Sequence, residues 1–171
     1  MGRKRRVVLA VLGAAGLGLL SGCVAATTGV MGITVTGDGK PLGVMLVCDG
    51  RVERVTLHDA DKEISKRVHL AAWSRGKPVG GFSVWSLESG GKGWSVHKPM
   101  ADLEPGRTYT LYGWTGDPDS TTDGVDFTLA QLAQLRPGQV RYYKGEGAGA
   151  DRNGYATVST GEFRSEACRE E

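Results

Sequence analysis

The sequence predicts a mainly β protein, an antiparallel β-sandwich with one or two short helices near the C-terminus. Three observations carry that prediction. Short apolar runs are broken by turn signals every 8 to 14 residues. Helical periodicity is nearly absent until the last third of the chain. Setting aside residues 1–22 of the 171 leaves 149, enough for one domain with one core.

Residues 1–22 read as an export signal. Arg3, Lys4, Arg5 and Arg6 precede an uncharged run from Val7 to Leu20. A bilayer span needs about 20 apolar residues, so this run is too short to remain as an anchor. Arg5-Arg6 before Val7-Val8-Leu9 loosely fits a twin-arginine pattern, but any basic signal head offers adjacent arginines, and the general secretory route is the expectation. The run ends in Leu20-Ser21-Gly22-Cys23, which resembles the lipobox of bacterial lipoproteins. That resemblance implies cleavage before Cys23 and a thioether from its sulfur to diacylglycerol. Two acyl chains hold a protein stably where one is marginal. Residues 23–30 then form the lipidated cysteine and a short tether, and 31–171 the domain. Val24 to about Gly29, fully extended, reaches roughly 20 Å.

Removing the signal removes four of the 21 basic residues and none of the 19 acids. The mature side chains therefore carry 17 bases against 19 acids, with no basic stripe to recruit nucleic acid. Cys48 and Cys168 remain besides Cys23. Outside the cytoplasm they most economically form one disulfide, and no Cys-x-x-Cys or neighbouring histidine pattern argues for metal.

The strands follow in order. Ile33 to Thr36 leads into a Gly37-Asp38-Gly39-Lys40 turn, and the near-continuous apolar run Leu42–Cys48 suits a central strand. Arg51–Leu57 and Arg67–Ser74 are next, then a turn at Arg75-Gly76-Lys77-Pro78 and a strand over Gly80–Leu87. Leu103-Glu104-Pro105-Gly106-Arg107-Thr108-Tyr109-Thr110-Leu111 resembles the E–F corner of fibronectin type III and other immunoglobulin-like domains. The resemblance implies an immunoglobulin-like sandwich with Tyr109 as the corner tyrosine. Alternation then points Tyr109, Leu111 and Gly113 inward, and Thr110, Tyr112 and Trp114 outward. Thr128-Leu129-Ala130-Gln131 has the form of a capping box opening a short helix, which Pro137-Gly138 stops. Ser159-Thr160-Gly161-Glu162 opens a second, carrying Phe163 and leading to Cys168. Gly145 to Gly154 between them reads as a surface loop. The segments Tyr109–Trp114, Val125–Leu129 and Leu135–Val140, with a terminal Phe…Cys, are similar to small actinobacterial lipoproteins, a resemblance that implies the architecture and no activity.

Chemistry-bearing motifs are sparse. No Gly-x-Ser-x-Gly, His-Glu-x-x-His or P-loop is present. His58-Asp59-Ala60-Asp61 offers three metal-ligand types, although a turn uses the same residues for solvation. His69 reads as a surface residue of a strand, and His97 has no evident partner. Asp117, Asp119 and Asp123 form the one acid cluster, a weak calcium site on a loop or the acids of an envelope hydrolase; the EF-hand fails because Ala130 stands at its twelfth position. Trp85, Trp94 and Trp114 would make a stacking platform for glycan or peptide if they shared an exposed face. The expectation is a binding or structural module anchored to the outer face of a membrane, with a cell-wall glycan or an envelope protein as partner. An envelope hydrolase or a calcium-dependent glycan- or peptide-binding protein is the alternative.

Overall fold

The first strand is buried on both faces, Met31, Ile33 and Val35 entering one apolar cluster and Val30 another, and the described residues form nine strands and two short helices. The computed structural model describes residues 26–63 and 66–169. In chain order the elements are β1 (Ala26–Val35), β2 (Pro41–Asp59), β3 (His69–Ser86), β4 (Trp94–Lys98), β5 (Tyr109–Trp114), β6 (Ser120–Asp123), β7 (Val125–Phe127), α1 (Leu129–Gln134), β8 (Gln139–Tyr143), β9 (Tyr155–Ser159) and α2 (Thr160–Glu166). Cys23 lies outside the described residues. The strand β1 begins at Ala26, so residues 26–30, expected as tether, are already hydrogen-bonded in the sheet.

The predicted turn after β1 forms: Gly39 sits at φ 81°, and Thr36 N–H donates to the Lys40 carbonyl at 2.9 Å. Beyond it, sequence punctuation misleads. The two runs Leu42–Cys48 and Arg51–Leu57 belong to one bent strand, with Gly50 at φ 67° in the bend. Likewise Arg75–Pro78 does not reverse the chain. It is extra length inside β3, because Val52 pairs with Val79 while Arg54 pairs with Ser74. Unequal length on the two strands of a ladder forces a bulge, and a bulge bends the ribbon. The β2–β3 hairpin is therefore folded across its middle.

That bend lets β2 serve two sheets' worth of neighbours. Its first half pairs with β1 and its second half with β5. β5 pairs with β6, and β6 runs beside β1, closing a ring β1–β2–β5–β6. The β1–β6 pairing is parallel, which corrects the purely antiparallel expectation. Its cause is chain geometry: β5 leads antiparallel into β6, and β6 then meets the free side of β1 near that strand's entry, running in its direction. β8 and β9 extend the sheet on one side and β4 on the other.

The main core fills the inside of this bent sheet, with Met31, Ile33, Met45, Leu57, Trp73, Trp85, Tyr109, Leu111 and Phe127 all buried. Trp85 lies flat against Gly43 on the paired strand, where a Cβ would stand 2.3 Å from the indole. Only glycine permits that approach. A smaller cluster of Val30, Val44, Val140, Tyr142 and Ala156 is closed by Phe163 of α2. Both helices start where the sequence predicts, with the capping box read at Thr128 and Gln131 and a second formed by Ser159 and Glu162. Helices of six and seven residues have little stability of their own. α2 is held by Phe163 and, just past its end, by the Cys48–Cys168 disulfide, whose Cα atoms are 5.4 Å apart.

Candidate functional site

The tyrosine corner forms as read. The Tyr109 hydroxyl accepts from the Glu104 N–H at 2.7 Å, and along β5 buried Tyr109, Leu111 and Gly113 alternate with half-buried Thr110 and Tyr112 and exposed Trp114, in the expected parity. That parity fixes one face of the four strands β4–β3–β2–β5. Val55, Leu57, Ala71, Trp73 and Leu111 point into the core. Their neighbours Arg54, Thr56 and His58 on β2, Thr110, Tyr112 and Trp114 on β5, and Ser74 on β3 lie on the other side, where Arg54 and Trp114 are exposed.

Trp114 is held rigidly on that face. Its Nε1–H donates to Thr56 Oγ1 at 2.7 Å, and Tyr112 packs edge-on at 5.2 Å between ring centroids. Thr56 is wholly buried although it lies on the outer side, while Trp114 keeps 38% of its surface exposed. The indole thus roofs the threonine and presents its remaining surface to solvent. Thr56 Oγ1 also lies 2.8 Å from His58 Nε2. An indole N–H can only donate, so the hydroxyl accepts from Trp114, while the direction of its bond to His58 follows the imidazole tautomer.

Burial, then the charges of His69 and Arg67, push His58 down to about 4 from its ordinary value of 6.5. His69 stands edge-on to it, 4.7 Å between centroids. One strand over, Ser74 Oγ lies 2.6 Å from His97 Nε2, linking β3 to β4, and Lys98 Nζ donates to the His69 carbonyl. Between these groups runs an open groove of about 520 Å³, lined by Glu53, Arg54, His69, Ala72, Trp73, Ser74, Arg75 and His97.

The expected tryptophan platform is corrected. Trp85 and Trp94 are 1% and 3% exposed, stacked on each other at 4.7 Å inside the core, and Trp94 Nε1–H is bonded to Ser83. The bent hairpin turns both indoles inward, leaving Trp114 alone on the surface among the four tryptophans. The acid cluster does not assemble either. Asp117 Oδ1 caps its own turn by accepting from the Asp119 N–H, whereas Asp123, across β1, faces a second groove beside the disulfide with Thr27 donating to it at 3.4 Å. Burial raises the Asp123 pKa. Among the described residues no three of His, Cys, Asp and Glu converge as metal ligands. In His58-Asp59-Ala60-Asp61, Asp59 is buried against Arg107 at 2.7 Å, and Asp61 accepts from the Thr108 N–H. Those carboxylates tie the end of β2 to the start of β5 and leave His58 on the outer face.

Sequence reading missed Arg54, Thr56, Ser74 and the Ser74–His97 pair. Their convergence depends on cross-strand register, and the only signal available was their shared outward parity. Compared with protein-family models, characterised proteins and solved structures, the chain matches none.

Proposed function

We propose that the mature chain is a lipid-anchored extracytoplasmic module that binds an envelope ligand through the outer face of β4–β3–β2–β5. The carrying observation is Trp114, an exposed aromatic locked in place by Thr56 and Tyr112 beside a polar groove. A side chain whose rotamer is already fixed loses little entropy on binding, which suits it to contact rather than to core packing. Leu20–Cys23 supports the anchor, and the Cys48–Cys168 pairing supports an oxidising compartment. The Tyr109 corner supports an immunoglobulin-like sandwich as the parent architecture.

Two measurements test this reading. Mass spectrometry of the exported protein should find an N-terminal peptide beginning at a diacylglyceryl-modified Cys23; an unmodified Cys23 removes the anchor. Detergent-solubilised protein should be retained on isolated cell envelopes, and Trp114→Ala should lower retention at least tenfold. Equal retention of the two removes the face.

A second reading, an envelope hydrolase, is favoured by the Ser74–His97 hydrogen bond, the arrangement a serine nucleophile and its base require. It predicts covalent labelling of Ser74 by a fluorophosphonate probe, lost in His97→Ala. An unlabelled Ser74 ends it.

A further inference from the structure

We propose that the ligand of this face is an acidic polysaccharide, with a pyranose ring stacked on Trp114 and an anionic substituent held by Arg54. The inference rests on the binding-module reading and names its ligand class. Register places Trp114 opposite Arg54, Arg54 opposite Ser74, and Ser74 opposite Ser95. At about 4.8 Å per strand, that row crosses roughly 14 Å of the face. A chain lying across the strands meets an aromatic plate, then a guanidinium, then hydroxyls. Sugars present the matching sequence of groups: a C–H face for the ring, an acidic substituent for the fork, and hydroxyls that donate and accept.

Charge selects the acidic member of that class. Two arginines and two histidines line the groove against one carboxylate, Glu53. Arg54 makes no ion pair among the described residues. Arg67 and Lys98 add cations around His58 and His69. Asp126, paired with Thr110 across β5 and β7, is engaged by the Thr110 hydroxyl at 2.6 Å. This local cation excess sits on a mature chain whose side chains have more acids than bases.

A peptide is a poorer fit. Added strands dock on unpaired backbone, and here β2 is paired on both sides; the free edge of the face belongs to β4, two strands away from Arg54. Apolar lining is confined to Ala72 and Trp73, which gives no pocket for an anchoring side chain. Nucleic acid shares the anionic and stacking chemistry but wants an extended basic surface, which the mature composition lacks.

Titration calorimetry of the detergent-solubilised full chain decides the matter. The probes are an oligogalacturonate, a neutral glucan oligomer of equal length, and a single-stranded thymidine oligonucleotide. The acidic sugar should bind most tightly, weaken as salt is added, and lose at least tenfold in Trp114→Ala and in Arg54→Ala. Trp114→Phe, which keeps an aromatic plate, should recover most of the affinity and show that the alanine variant is not simply misfolded. The inference falls if the acidic sugar does not bind, if the neutral sugar or the oligonucleotide binds as well, or if Trp114→Ala leaves affinity unchanged. Should envelopes still retain the wild type but not Trp114→Ala while oligogalacturonate fails, the ligand class is wrong and the binding face stands.

Discussion

At the scale of single residues, the outer face is organised by one hydroxyl. Thr56 accepts a hydrogen bond from Trp114 and shares another with His58, so three side chains on two strands share one orientation. His58 carries a pH consequence. Its folded pKa of about 4 lies below the ordinary 6.5, so between those values the unfolded chain binds more protons than the folded one. Stability from this group is fully present above about 6.5 and is lost as pH falls toward 4. Thermal midpoints measured from pH 7 to pH 4 should therefore fall more steeply in the wild type than in His58→Gln. Parallel curves would show that the imidazole titrates freely. None of this was legible in the sequence, where His58 read as part of a His-Asp-Ala-Asp turn. Register separated it from its neighbours: the two aspartates turn toward Arg107 and Thr108, and the histidine toward Thr56.

Among elements, local rules worked where the determinant is local. The capping box at Thr128, the helix opening at Ser159, the Tyr109 corner and the Gly39 turn all depend on residues within five positions of each other, and all formed as read. The β2–β3 hairpin defeated the same rules. Its Gly50 and its Arg75–Pro78 stretch are ordinary turn signals, yet long-range pairing converts both into bends within continuous strands. The buried Trp85 and Trp94 follow from that conversion. For α2, packing matters more than propensity. Phe163 is fully buried against Phe82 and Tyr142, so Phe163→Ala should cost about 3–5 kcal/mol in denaturant unfolding. Cys48→Ser with Cys168→Ser releases a link across 120 positions, for which chain-entropy arguments give about 4–5 kcal/mol. A loss confined to the helix signal, with the sheet unfolding at its original midpoint, would mean that α2 is an appendage.

For the whole molecule, sequence and structure agree on a mainly β domain closed by one disulfide and differ on how the sheet is joined. Parallel pairing between β1 and β6 could not be read from residues, since no apolar pattern distinguishes a strand's direction. That pairing has a mechanical meaning. With the lipid reading, any tug on a ligand held by the outer face is transmitted to the membrane through Ala26, the first residue of β1. β1 is gripped by β2, β6 and β8 at once, so a pull along its axis must slide it past three partners in shear. β4 is bonded to β3 alone and can be peeled one bond at a time. Single-molecule stretching with one handle at Ala26 should rupture at higher force than with that handle moved to Lys98. Equal forces would mean that ring closure adds nothing to the grip. The fold then doubles as a mooring: the strand that enters the domain is the one hardest to extract from it.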